Sequence, residues 1–257
     1  MTSTSTIFDL TGKTALVTGS GGGLGLVMAK GLASHGAKVI LHGRNKDKVQ
    51  AAVAELTEAG FSVGSCTFDV ADADAVEDGV KAITAEHGPV DILVNNAGIN
   101  LRHPLEEFPE KGWDELIATN LKAPWLVARA VVGGMIERRM GKIINICSIQ
   151  SELGRPTIAP YAASKGGLKM LTRGMAVDWA KHNIQVNGIG PGYFKTELTR
   201  ALHEDPEFDV WLRGRTPSNR WGEPDELVGA LVFLASDASS YVNGQIIYVD
   251  GGLLASV

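Results

Sequence analysis

Short runs rich in Val and Ile recur along the chain, each separated from the next by a longer stretch whose apolar residues fall at helical spacing. This alternation constrains the fold more than any other feature. Parallel strands must be joined by crossover connections, and a strand covered on both faces reads as a continuous apolar run. Seven strands are expected, at 14–18, 38–42, 62–68, 91–95, 142–147, 185–189 and 245–249. Helices fill the gaps, most clearly at 47–59 and 73–86. In the first of these Val49, Val53 and Leu56 mark the buried stripe. The architecture this predicts is α/β, a doubly wound parallel sheet of seven strands with helices on both faces.

At 257 residues, with no Pro- or Gly-rich linker, the chain reads as one domain over 1–257. Hydrophobic residues make up 44% and charged residues 21%, so a large core forms without disulfides or a structural metal. The net charge of -5 provides no basic field for a phosphate polymer or an anionic bilayer, which excludes nucleic acid and membrane as expected partners. The two cysteines, Cys66 and Cys147, lack CxxC spacing, and a reduced, cytoplasmic setting is expected. Cys147 reads as a buried strand residue. No apolar run approaches the roughly 18 residues of a membrane span. The six histidines form no HExxH or similar spacing, so no metal is expected. The polar start, 1–11, reads as a disordered or loosely attached lead. The segment 193–221 holds Pro206 and Pro217 but also Phe208 and Trp211, and is expected to pack as a lid over a substrate.

The first expected strand runs into Thr18-Gly19-Ser20-Gly21-Gly22-Gly23-Leu24-Gly25 and then a helical run. Glycines there allow positive φ and close backbone approach, so that amides at a helix start can meet a pyrophosphate. The spacing is TGxxxGxG rather than GxGxxG, because Leu24 sits where the third glycine of the latter would be. Further along, Tyr161 and Lys165 lie four apart and point from one helix face. An ammonium beside a phenol favours the phenolate, lowering a pKa near 10 by roughly 1 to 3 units, which would suit proton transfer at neutral pH.

These motifs occur in a fixed order with Asn95-Asn96-Ala97-Gly98, Ser148 and Pro191-Gly192, and from about residue 12 onward the chain resembles the classical short-chain dehydrogenase/reductase family. The resemblance implies a Rossmann-type fold and hydride transfer between a nicotinamide and a hydroxyl or ketone carbon. It implies that Tyr161 exchanges the proton, Ser148 holds the substrate oxygen and Lys165 binds the nicotinamide ribose. It also makes Asn120 a fourth catalytic position that shapes a helix kink. The implied cofactor contacts are Gly19, Ser20, Gly23, Leu24 and Gly25, then Asp69 and Val70 beside the adenine, Asn96, Ala97 and Gly98, and Pro191, Gly192 and Thr196 beside the carboxamide. Asp69 could equally cap a helix, and Thr196 suits the same role. A homotetramer is implied as well, with the apolar tail 252–257 packing either across an interface or on its own core.

Arg44 follows the second expected strand and no carboxylate precedes Asp47. An acidic side chain would be needed there for a ribose 2′-hydroxyl, whereas Arg suits a 2′-phosphate, so NADP is expected. Gly22 stands where many NADP-using members carry a basic residue, which leaves NAD open. The stretches 97–108, 145–153, 215–217 and 220–222 are similar to the branch of the family that interconverts D-gluconate and 5-keto-D-gluconate. A small polar substrate, a sugar acid, is therefore expected. Arg102 and Arg155 are its carboxylate candidates and Gln150 and Glu152 its hydroxyl candidates, each otherwise a solvent-facing loop residue. The rivals are a 3-oxoacyl carrier-protein reductase, another polyol or sugar dehydrogenase, or a nucleotide-sensing protein without activity. The presence of Ser148, Tyr161 and Lys165 together weighs against the last.

Overall fold

The computed structural model describes residues 7–257, the side chain of Leu198 excepted. Strands β1 (Thr14–Val17), β2 (Lys38–His42), β3 (Val63–Cys66), β4 (Ile92–Asn95), β5 (Gly141–Ile146), β6 (Ile184–Pro191) and β7 (Ile246–Val249) form one parallel sheet, in the order β3-β2-β1-β4-β5-β6-β7. All seven expected strands are present. The third is shorter than expected, because Thr67 and Phe68 leave the ladder at this outer strand. The sixth is longer, running on to Pro191 beside Val249.

Alternate side chains of each strand enter opposite cores. Ala15 and Val17 pack with α1 (Gly23–Ser34) and α2 (Lys46–Glu58), and on the same side with a later helix over Val228–Ala235. Leu16, Ile40 and Leu93 face α3 (Ala73–His87) and the long helices at 123–138 and 159–179. Both faces are covered over the inner strands, β1, β4, β5 and β6, which is why these lack the polar alternation of a half-solvated sheet. The strand order reverses between β1 and β4, and in open α/β sheets ligands bind beyond the carboxyl ends of the strands at such a point.

The remaining helices, in chain order, are α4 (Glu110–Ile117), α5 (Ala123–Arg138), α6 (Ala159–Trp179), α7 (Arg200–His203), α8 (Pro206–Arg215) and α9 (Val228–Ala235). Of the loose lead expected over 1–11, residues 1–6 lie outside the described residues. The rest is tied down: Leu10 is buried, its amide donates to His35 O, and Ile7 O accepts from Ala238 N. The segment 193–221 is more ordered than a loop. It holds α7 and α8, and its ends are pinched together where Lys195 N donates to Gly222 O at 3.0 Å and Gly222 N to Tyr193 O at 2.9 Å. Phe208, Leu212 and Trp221 pack beneath it against Ile149 and Leu253, so the chain's tail rests on its own core rather than standing free.

Leu93 is fully buried at the centre of the sheet. Leu93→Ala should cost about 2–5 kcal/mol of unfolding free energy by chemical denaturation. A loss under about 0.5 kcal/mol would contradict the packing described.

Candidate active site

The turn after β1 is locked from beneath. Gly19 has φ 66°, and a side chain there would strike the Ala97 backbone. Thr18 Oγ1 accepts from the amides of Asn96 and Ala97, while Asn96 Nδ2 donates to the carbonyls of Thr18 (2.9 Å) and Gly19 (3.0 Å). Asn96, not Asn95, therefore binds the glycine turn to β4; Asn95 instead donates to Asn145 Oδ1 within the sheet. At Gly25 a Cβ would collide with the carbonyl oxygen of Gly19, so this glycine lets α1 approach the turn. No side chain caps α1, no acidic residue lies in its first turn, and Gly22 and Gly23 face open space. The arrangement leaves backbone N–H groups free to receive an anion. Ser20 departs from expectation. It is fully buried, its hydroxyl donating to Val17 O and accepting from His42 N, so its side chain cannot reach a cofactor.

At the edge of this cleft Arg44 faces Asp69 at 3.6 Å, both largely exposed. Asp69 also accepts from Ala71 N, and the helix cap belongs to Asp72, which accepts from the amides of Asp74 and Ala75. Val70 is buried beside it. On the opposite side Pro191 ends β6, Gly192 N donates to Val249 O, and Thr196 caps the short turn Glu197–Thr199.

The catalytic candidates converge across β5 and α6. Lys165 is 4% exposed and its Nζ donates to Ile146 O at 2.7 Å, which fixes α6 against the end of β5. Ser151 Oγ donates to Lys165 O at 3.0 Å and adds a second tie. Ser148, two residues past β5, is 8% exposed and caps a short turn by accepting from Gln150 N. Tyr161 stands one helical turn before Lys165. Burial raises its phenol above the usual value, and the Ser148 hydroxyl beside it pulls the other way. The expected acidification by Lys165 is not what the structure has. Nζ lies 5.8 Å from the Tyr161 ring centroid, is engaged by Ile146, and is itself pulled down to about 8 by burial. Removal from water dominates both groups.

Asn120 sits fully buried in a π-helical turn, Ala118–Lys122, between α4 and α5. Its Oδ1 accepts from Ile99 N at 2.8 Å, and its Nδ2 donates to Ile99 O (2.9 Å) and Ser164 Oγ (3.1 Å). The widened turn aims this amide at the loop after β4, and a Cβ on Gly98 would come within 3.7 Å of Lys165 Nζ.

Around the mouth, Arg102 and Arg155 come from the loops after β4 and β5. Burial, and then the like charge of Arg155, lowers the Arg102 pKa. Neither has a carboxylate within ion-pair distance among the described residues. Arg155 donates to the Tyr193 hydroxyl at 3.3 Å and lies over the Phe208 ring. Gln150 is 8% exposed, and its buried Oε1 finds no partner among the described residues. Glu152 Oε1 accepts from Lys169 Nζ and the Tyr248 hydroxyl at 2.5 and 2.6 Å, which leaves Oε2 as the oxygen that could meet a substrate. Cys147 is buried, with its thiol pushed up to about 11, so it stays protonated.

A family model described as enoyl-(acyl carrier protein) reductase, one of the short-chain dehydrogenase models, matches residues 19–254. The chain belongs to the short-chain dehydrogenase/reductase family. It is 55% identical to a gluconate 5-dehydrogenase of Gluconobacter oxydans over 98% of each chain. It is 53% identical to a 5-keto-D-gluconate 5-reductase of Escherichia coli K12 over 98% of this chain and 99% of that one. A crystal structure of a gluconate 5-dehydrogenase from Burkholderia cenocepacia, in complex with NADP and tartrate, superposes with a TM-score of 0.96 at 51% identity, covering 98% and 99% of the two chains.

Within this short-chain dehydrogenase/reductase site two features escaped the sequence reading. His42 lies under the glycine turn, with Nδ1 3.3 Å from Gly19 N. Tyr193 links Arg155 to the aromatic group of Phe208 and Trp221. Neither belongs to a short motif; each acquires its place only when separate strands are brought together. Gly25→Ala should weaken dinucleotide binding at least about tenfold by calorimetric titration, since the obstruction is backbone and cannot rotate away. Affinity unchanged within about twofold would contradict the tight seat of α1.

Proposed function

We propose that the chain is an NADP-dependent oxidoreductase that interconverts a secondary alcohol and a ketone on a sugar acid, D-gluconate and 5-keto-D-gluconate. The observation that carries this reading is Tyr161 set beside Ser148, with Lys165 anchored behind them at the open end of β5, in a chain similar over nearly its whole length to enzymes of those names.

The residues present fit NADP. The open turn at Gly22 and Gly23, with the uncapped start of α1, would hold the pyrophosphate, and Arg44 the 2′-phosphate. Asp69 and Val70 would flank the adenine, Asn96, Ala97 and Gly98 the inner ribose side, and Lys165, Pro191, Gly192 and Thr196 the nicotinamide half. The bound cofactor supplies the two-electron redox chemistry. The chain's own residues manage the proton and the substrate. In this reading the Ser148 and Tyr161 hydroxyls would both engage one substrate oxygen; in reduction Tyr161 would donate its proton there, and in oxidation its phenolate would accept it. Lys165, held on Ile146 O, would carry a positive charge behind this exchange until pH passes its depressed value of about 8, and Asn120 fixes the loop that bears Gly98. Arg102 and Arg155 would meet a substrate carboxylate, a reading supported by the absence of an acidic partner for either among the described residues, and Gln150 Oε1 would meet a substrate hydroxyl. The segment from Tyr193 to Trp221, packed on Ile149 and Leu253, would cover the substrate.

Exposed Trp113, Trp125, Met170 and Val177 on α4, α5 and α6 support assembly with further copies, a homotetramer in this reading. Free Cys66 and Cys147 support a reducing, cytoplasmic setting.

The purified protein should oxidise D-gluconate with NADP, and reduce 5-keto-D-gluconate with NADPH, followed by the near-ultraviolet absorbance of the reduced cofactor. Tyr161→Phe should lower kcat by about 10²-fold or more with nucleotide affinity within about twofold. Because burial holds the phenol protonated above its usual range, reduction should persist through neutral pH, while oxidation, which needs the phenolate, should climb as pH rises. A Phe variant as fast as the parent, or no turnover of either sugar acid, would overturn the proposal.

A further inference from the structure

We infer that His42 is a positioning residue that sets the pyrophosphate turn against the adenine side of the nucleotide cleft, an inference that rests on the dinucleotide reading above. His42 ends β2 and is 1% exposed. Its backbone grips the turn, its N–H donating to Ser20 Oγ at 2.9 Å and its carbonyl accepting from Ser20 N at 2.8 Å. Its ring spans the cleft floor. Nδ1 lies 3.3 Å from Gly19 N and so accepts that amide, while Nε2, 3.1 Å from Phe68 O, is the protonated nitrogen and donates there. The ring also packs on the Phe68 side chain, with centroids 4.2 Å apart. One neutral imidazole thus joins the turn at Gly19 to the residue immediately before Asp69 and Val70.

This use of a histidine has a physical reason. A leucine would fill the space but would leave the partly buried Gly19 amide without this acceptor, which costs the turn one of the bonds that hold it in place. By absorbing this amide, His42 leaves the later ones, at Gly22 and Gly23, as the free donors. The arrangement needs Nδ1 unprotonated. Burial pulls His42 down to about 4 against the opposing pull of the Phe68 carbonyl and the Asp69 charge, so the ring is neutral throughout the ordinary working range. Its partner across the β2–β3 ladder, Cys66, is likewise uncharged, pushed up to about 12 by burial.

Two variants separate the two ring bonds. His42→Asn keeps an acceptor at the distance of Nδ1 but cannot reach Phe68. His42→Gln places an amide at the distance of Nε2 and gives up the acceptor for Gly19. Calorimetric titration with NADP, alongside kcat at saturating NADP and the KM for D-gluconate, reads the outcome. The expected result is NADP bound about tenfold more weakly by His42→Gln and within about threefold of the parent by His42→Asn, with kcat and the gluconate KM within about twofold in both. A Gln variant that fails to fold beside a normal Asn variant also supports the assignment. Equal weakening in both variants, parent-like affinity in both, or failure of the Asn variant to fold would overturn it. A parent protein that binds no nicotinamide nucleotide at all would remove the dinucleotide reading and this inference together; a parent that binds while both variants match it would remove this inference alone.

Discussion

One ammonium-to-carbonyl bond organises the site. Lys165 Nζ reaches across from α6 to Ile146 O, and from that point everything the chemistry needs is set by short covalent reach. Tyr161 is one helical turn away along α6, and Ser148 is two residues away along the chain leaving β5. Burying a cation is expensive unless it is hydrogen-bonded, and here the cost shows as a Lys165 pKa drawn down to about 8. A bond retained under that strain, rather than replaced by an apolar contact, points to a role in orientation and charge.

The same device, a buried polar side chain sewing strand ends together, recurs around the cleft. Thr18 and Asn96 join β1 to the loop after β4; Asn120 joins that loop to α6 through Ser164; Asn145 joins Asn95 to Thr172. Each is satisfied by partners from elements distant in sequence, so the arrangement is fixed only when the whole sheet has closed. A site built this way is preorganised on rigid elements.

Much of this was legible in the residues alone because it is carried by local patterns. The apolar runs located the strands, and the glycine turn and the Tyr161–Lys165 spacing located the cleft and the candidate acid. What was not legible depended on where side chains spend their bonds. Ser20 reads as a cofactor contact, yet its hydroxyl is consumed by Val17 and His42. Glu152 reads as a substrate residue, and Lys169 and Tyr248 share one of its two carboxylate oxygens. The phenol was expected to be acidified by its neighbour, but burial, which no spacing reveals, raises it, and Lys165 is bonded to Ile146 O. Helices α7 and α8 in the segment from Tyr193 to Trp221 were hidden by prolines and charges, since packing on Ile149 and Leu253 rather than local periodicity holds them.

The claim that Lys165 sets the acid in place is tested most directly by the kcat of Lys165→Met for D-gluconate at saturating NADP. Met keeps the length of the stem and removes both the charge and the bond to Ile146. The account predicts a fall of about 10²-fold or more in a protein that still unfolds cooperatively. Turnover within about twofold of the parent would contradict it.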